Sequence, residues 1–207
     1  MGLDYSFRLY FNKARIWDVL QGVVEIGQPH HPPARILFPD HVLEIPLDAW
    51  VARSNEFHCD NPELQFATVL NFAEDEPLWE YVTERDHSDE QYRSPPGDGN
   101  PRMISIGYIY LYIYQDLSDR HPLNLPVDLV LFEFGTTGTR MSILFEYSMS
   151  IRKRFTELLQ RFHGVCGVFD RELEGEVFWF HDLLVDPQPC DPWALPEQIA
   201  QDLDRQG

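Results

Sequence analysis

Residues that could carry acid–base chemistry lie in the last third of the chain. His181 and Asp182 are adjacent at the end of an apolar run, where an imidazole and the carboxylate that orients it can serve as a general base. Cys166 follows His163 by three residues, which would suit a thiolate–imidazole pair. However, the surrounding VCGVF is typical of a core strand in which cysteine is a small apolar residue. We therefore predict no catalytic residue among them.

His163, His181 and Asp182 also leave a second class of function open. Together with Arg140, they could supply polar groups to a cleft between two halves of the chain. The alternative to a non-enzymatic protein is therefore a small-ligand-binding protein or an enzyme. Its candidate cleft residues are Arg140, His163, His181 and Asp182.

Metal and cofactor motifs are weak. His58, Cys59 and Asp60 place three potential ligands side by side, but adjacent side chains on extended backbone rarely chelate one ion, and this set stays open. The segment GTTGT at residues 135–139 lacks the lysine of a phosphate-binding loop, so we predict a hairpin turn there. We expect no cofactor and no metal.

The net charge is strongly negative. The 207 residues include 16 Lys+Arg and 34 Asp+Glu, a formal charge of −18 at pH 7. Such a charge repels phosphate, so nucleic acids and anionic membranes are disfavoured as partners, whereas it suits a basic protein or a cation equally. Three cysteines without CxxC spacing, together with the lack of a recognisable leader or membrane span, predict a cytoplasmic location.

The acidic residues form three clusters, and the largest covers residues 74–90. Aromatic side chains such as Trp79 stand among these carboxylates. Aromatic rings anchor a partner and carboxylates attract its basic residues, so this combination suits a protein-binding face. The predicted function is a non-enzymatic acidic interaction module, with the candidate partner-binding residues Glu74, Asp75, Glu76, Trp79, Glu80, Glu84, Asp86, Asp89 and Glu90.

The overall composition is similar to that of the acidic immunity proteins of bacterial toxin systems. The likeness rests on charge and size and covers no motif. It implies an inhibitor of a basic bacterial partner, such as a nuclease toxin or a DNA-binding effector.

The segment ISIGYIYLYIYQD, residues 104–116, is the most distinctive strand pattern. Strict alternation places Ile104 and Ile106 on the same face as four tyrosines. We predict a central strand whose tyrosine rings are architectural, or alternatively form the contact of a homo-oligomer. The tyrosine face consists of Tyr108, Tyr110, Tyr112 and Tyr114.

Both helices and strands are predicted to position these residues. Helical spacing predicts one helix over residues 13–26, capped by Asn12, and another over 148–162, capped by Ser148 or Ser150. A short acidic helix is expected at residues 75–84. Alternation and turn residues predict strands at 3–11, 34–47 (a hairpin around Pro39), 64–72, 104–114, 127–135, 140–148 and two more between 165 and 182.

The resulting fold class is α+β, with mostly antiparallel sheets and two main helices packed on one face. We predict a single domain over residues 1–184. Two related halves, 1–84 and 102–184, would be joined by the loop 85–101. Residues 185–207 are expected to form a proline-rich acidic tail over the surface.

Overall fold

The computed structural model describes residues 2–49, 54–84, 101–120 and 127–206. Ten strands and five α-helices lie within these ranges. The strands are β1 Ser6–Asn12, β2 Ala34–Leu37, β3 Val42–Ile45, β4 Glu56–His58, β5 Glu63–Ala73, β6 Met103–Tyr114, β7 Leu129–Gly135, β8 Cys166–Asp170, β9 Gly175–Phe180 and β10 Leu183–Cys190. The helices are α1 Ile16–Ile26, α2 Glu76–Glu84, α3 Thr139–Tyr147, α4 Met149–Arg161 and α5 Pro196–Gln206.

Seven of the strands form one antiparallel sheet in the order β10-β9-β8-β1-β7-β6-β5. The α+β class and the antiparallel sheet are thus confirmed. Strand β1, from the first predicted half, lies between β7 and β8 of the second. The described parts of the two predicted halves therefore contribute strands to one sheet.

One face of the sheet carries the main core. Helices α1 and α4 contact each other and bury their apolar stripes on this face. Phe155 of α4 is the centre of an aromatic cluster, because its ring lies 4.5 Å from that of Phe7 and 4.8 Å from that of Phe134. The small sheet β3-β2-β4 packs against the same core. Its β2–β3 hairpin was predicted, whereas no strand was predicted at the position of β4.

Three helix caps match the sequence. The Asn12 side chain accepts a hydrogen bond from the Ala14 N–H and starts the 3-10 turn Lys13–Arg15 that leads into α1. Gly27 follows the last residue of α1. Of the two serines considered for α4, Ser148 is the N-cap, because its side chain accepts from the Ile151 N–H.

The opposite face of the sheet is partly covered by the C-terminal segment. Ala194, Leu195 and Ile199 pack with Tyr10 and Leu131 into a second buried cluster. The segment expected to be a tail therefore forms β10 and α5. Its prolines fit these elements, because β10 is an edge strand and Pro196 is the first residue of α5, positions where no backbone N–H is needed.

The segment RMSILFEYS, predicted as a strand, lies mostly in helix α3, and the strand prediction was wrong. Met141, Leu144 and Phe145 are buried on one side of this helix, with the i, i+3, i+4 spacing that a helix requires. Because the segment is apolar at alternate positions as well, its pattern fits both structures. GTTGT is consequently the connection from strand to helix, and the predicted hairpin turn does not form.

Strand β6 contains a bulge that changes its register. Val69 pairs with Tyr108 while Asn71 pairs with Ser105, so β6 has one more residue than β5 in this interval. Gly107 takes up the extra residue with a φ of 100°. Beyond the bulge, Ile104 lies opposite Phe72 on the core face, not on the tyrosine face as strict alternation had predicted.

Candidate functional site

The acidic helix α2 lies beside α3, and a groove of about 470 Å³ runs between them. Glu76 and Glu80, one turn apart and exposed, form the wall on the α2 side. Ile143 and Tyr147, also one turn apart, form the wall on the α3 side and are 43% and 63% exposed. The groove therefore joins an anionic wall to an apolar wall. Its remaining lining residues are Pro77, Tyr81, Arg140 and Leu144.

Asp75 lies at the start of this groove, and its carboxylate forms hydrogen bonds that connect two helices. Its Oδ1 accepts a hydrogen bond from the Leu78 N–H at 3.2 Å and so caps α2. Its Oδ2 accepts from the Ser148 hydroxyl at 2.7 Å and from the Ser150 N–H at 2.9 Å. This carboxylate therefore holds the beginnings of α2 and α4 together and is occupied inside the protein.

The other predicted partner-binding residues are distributed unevenly. Glu74 is exposed and precedes α2, whereas Trp79 is 36% exposed within α2, the helix that carries Glu76 and Glu80. The side chain of Glu84 and the whole of Asp86, Asp89 and Glu90 lie outside the described residues. The sequence does not indicate their neighbours Ile143 and Tyr147, because the residue pattern of α3 predicts a strand.

The four candidate cleft residues are not brought together. His163 Nδ1 lies 3.5 Å from Asp182 Oδ1, and both side chains are exposed. His181 and Asp182 have φ angles of 46° and 62° and form the two-residue turn of the β9–β10 hairpin. These three are at the end of the sheet where Tyr10 pairs with Cys166.

Arg140 is at the other end of the same sheet. It is the second residue of α3, five positions after Gly135, and Gly135 pairs with Ser6 at the start of β1. Ser6 and Tyr10 are four residues apart on one strand, or about 13 Å. Arg140 instead lines the α2–α3 groove and a neighbouring cavity of about 740 Å³ beside GTTGT.

The tyrosine face is half covered. Tyr108 is 48% exposed, whereas the other three tyrosines are half-buried. Tyr114 packs against the cluster that the C-terminal segment covers. Ring centroids lie 6.2 Å apart for Tyr110 and Tyr112 and 6.3 Å apart for Tyr112 and Tyr114. Association of two copies through this face stays a prediction.

A buried arginine lies on the same face of the sheet. Arg8 is 1% exposed, and its Nη2 lies 2.8 Å from Asp170 Oδ2 and 3.2 Å from Glu133 Oε1. Its Nη1 donates to the Pro192 carbonyl at 2.5 Å, and its guanidinium lies 3.4 Å from the Trp193 ring centroid. One signal of this group is visible in the sequence: Arg8 is a charged residue in the middle of the mostly apolar segment that forms β1.

Metal-ligating residues do not cluster in the described ranges. There, no group of three or more His, Cys, Asp or Glu side chains could hold an ion. His58 ends β4, and Cys59 and Asp60 lie in the turn that follows. The three cysteines are free. Burial raises the pKa of the Cys166 thiol and raises that of Cys190 to about 12.

Comparison with known proteins returns no match: no family model, no curated protein and no solved structure matches this chain. Within the described residues, none of the helices is both long enough and apolar enough to cross a bilayer.

Proposed function

We propose that this protein is a non-enzymatic interaction module that binds a basic protein partner through the groove between α2 and α3. The observation that carries the proposal is the pairing of two exposed carboxylates, Glu76 and Glu80, with two exposed apolar side chains, Ile143 and Tyr147. A partner segment with lysine or arginine on one side and an apolar residue on the other complements both walls.

The carboxylates of the groove are not neutralised by a cation within the described part of the chain. Glu76 and Glu80 form no ion pair with any residue in the described ranges. Like charges at i and i+4 destabilise a helix by about 0.2–0.5 kcal/mol. A basic partner would remove this repulsion, so the pair is better suited to binding than to stability.

The apolar wall can supply most of the affinity. Tyr147 presents a large ring with a polar tip, the kind of side chain that dominates protein interfaces. Leu144 and Tyr81 lie buried beneath it and give the groove a firm floor. The net charge of −18 adds long-range attraction, which speeds encounter with a basic protein.

Binding of this kind would cover the basic surface of the partner and so inhibit any partner that acts on nucleic acid. An inhibitor or immunity-type role in a bacterial cytoplasm is the form of the proposal that fits best. The three free cysteines suit a reducing compartment.

The test uses a short amphipathic helical peptide of lysine and leucine as the probe, titrated calorimetrically into the protein. Glu76→Gln/Glu80→Gln should weaken binding about fivefold, because each exposed ion pair contributes up to about 1 kcal/mol. Tyr147→Ser should weaken it about tenfold through loss of the anchor. Both effects should be measured at low and at physiological ionic strength.

The matched control is Asp186→Asn/Glu197→Gln, which removes the same number of exposed negative charges from β10 and α5, elements that belong to the second cluster and not to the core that holds α2 and α3. This variant should bind the peptide as the unmodified protein does. Equal weakening by the groove variant and the control would show that only net charge attracts the peptide, and the proposal would fail.

A further inference from the structure

A separate cavity of about 410 Å³ opens on the sheet face that carries the tyrosines. Its hollow follows from a row of paired residues across four strands, in which Tyr110 lies opposite Gly135, Gly135 opposite Ser6, and Ser6 opposite Asp170. Gly135 and Ser6 are too small to fill the space between Tyr110 and Asp170. The row beside it, Tyr112, Glu133 and Arg8, forms the inner wall.

Carboxylates outnumber cations in the lining. Asp4, Glu133, Asp170 and Glu172 surround the cavity, and among the described residues that line it Arg8 is the one cation. The donors of Arg8 are already directed to Glu133, Asp170 and the Pro192 carbonyl. An anion would meet a net negative surface with no guanidinium donor aimed at it, whereas a cation would meet excess carboxylate.

Aromatic rings complete the lining. Tyr110 and Tyr112 stand side by side with ring centroids 6.2 Å apart, and Trp193 lies at the rim. Rings of this type attract ammonium and guanidinium groups through their negative faces. Arg8 demonstrates the preference in the same place, since its guanidinium stacks on Trp193 while it pairs with two carboxylates.

Two groups of the lining, Asp170 and Tyr112, have raised pKa values to which neighbouring negative charges contribute. Burial raises the pKa of Asp170, and although Arg8 lowers it, the charges of Glu133 and Glu172 raise it further. Burial also raises the pKa of Tyr112, with Tyr110, Glu133 and Glu63 adding to the effect. A second positive charge in the cavity would offset the repulsion that both groups feel.

We propose that this cavity binds an organic cation, with an ammonium or guanidinium group held between the Tyr110–Tyr112 rings and the carboxylates of Glu133, Asp170 and Glu172. The site is distinct from the α2–α3 groove and shares no lining residue with it. The cation is either a free small molecule or the side chain of an arginine or lysine in another protein.

The test is calorimetric titration of the whole protein with n-butylguanidinium, n-butylammonium and n-butylurea. Butylurea has nearly the shape of butylguanidinium but no charge. We expect at least one of the two cations to bind and butylurea to show no measurable heat. Equal binding of butylurea and butylguanidinium, or no binding of either cation, would overturn the proposal. This test uses the unmodified protein, so it does not depend on whether a variant folds.

Two pairs of variants locate the site. Tyr112→Leu should weaken the cation about fivefold through loss of a ring face, while Tyr108→Leu on the same strand and face, outside this cavity, should not. Glu172→Gln at the exposed rim should weaken it about threefold, while Glu174→Gln in the same turn should not. The rim pair keeps the test valid if Tyr112→Leu is unstable. Equal effects within either pair would place the cation elsewhere and contradict the proposal.

The source of the cation is decided with N-acetyl-arginine methylamide, which imitates an arginine within a protein chain. Binding as tight as that of butylguanidinium assigns the cavity to a protein side chain. Binding of butylguanidinium but not of the blocked arginine assigns it to a free small cation. The α2–α3 groove is tested with a different ligand and with variants of Glu76 and Glu80. A negative result for the cavity therefore does not change the conclusion for the groove, and the reverse also holds.

Discussion

Asp75 and Ser148 cap two helices together: the Ser148 hydroxyl donates to Asp75 Oδ2 at 2.7 Å, while Asp75 Oδ1 accepts from the Leu78 N–H at the start of α2. Ser148 in turn accepts from the Ile151 N–H at the start of α4. One carboxylate therefore links the starts of α2 and α4, and with the buried side chains of α2 it positions one wall of the proposed groove.

Replacing this carboxylate should destabilise the protein. We expect Asp75→Ala to lower the free energy of unfolding by about 1–3 kcal/mol, because a helix cap and buried donors lose their acceptor together. Glu74→Ala, on the exposed neighbour, should change it by less than about 0.5 kcal/mol. Urea denaturation measures both, and equal effects would show that Asp75 acts only as a surface charge.

Arg8 should be more sensitive still. We expect Arg8→Met to lower the free energy of unfolding by about 3–5 kcal/mol, since it leaves Glu133 and Asp170 without their buried cation. Arg8→Met/Glu133→Gln/Asp170→Asn should recover much of that loss, because no unpaired charge remains. Arg15→Met, which breaks an exposed pair with Asp18, is the control and should cost little. A triple variant no more stable than Arg8→Met would contradict this account.

Asp170 should give the stability a distinctive dependence on pH. Burial raises its pKa, so the folded protein holds this proton more tightly than the unfolded chain does. The stabilisation by the protonated carboxyl is complete below the ordinary aspartate pKa and is lost as the pH rises through the raised value. Asp170→Asn cannot titrate. The free energy of unfolding of the unmodified protein, minus that of Asp170→Asn, should therefore fall as the pH rises through this window; a constant or rising difference would contradict it.

Gly107 and Gly138 offer a matched test of the bulge in β6. Gly107 has a φ of 100°, which side-chain-bearing residues rarely adopt, although a new Cβ would find its nearest atom, Met141 Cε, at 3.8 Å. Gly107→Ala should thus cost about 1–2 kcal/mol through backbone strain alone. Gly138→Ala should be neutral or slightly stabilising, because its φ of 172° is extended and a Cβ would meet nothing within 4 Å. Thermal melting measures both variants, and equal melting temperatures would contradict the claim that Gly107 relieves backbone strain.

Strong local patterns made part of the fold predictable. Strand β1 alternates cleanly, and α1 and α4 each have a wide apolar stripe. A side-chain cap starts α4, and another starts the 3-10 turn that leads into α1. α3 was not predictable, because its apolar residues satisfy both helical and strand spacing. Likewise, acidic and proline residues obscured Leu195, Ile199 and Leu203, whose i, i+4, i+8 spacing seats α5 on the sheet.

The sites were harder to predict than the elements. Glu76, Glu80 and Trp79 could be named because they are close in sequence, whereas the apolar wall of the groove comes from a helix more than sixty residues away. Arg8 and Glu133 are 125 positions apart, and only the register of β1 with β7 makes them neighbours. Such pairings depend on tertiary register, which local patterns do not encode.

The most direct test of the central claim is to map the lysine–leucine peptide onto the ¹⁵N-labelled protein by NMR. We predict that the largest backbone shifts, saturable with added peptide, fall in residues 76–81 of α2 and 140–147 of α3, with the exposed β9–β10 hairpin unaffected. Shifts spread evenly over the acidic surface, or concentrated away from α2 and α3, would contradict the proposal that this groove binds a basic partner.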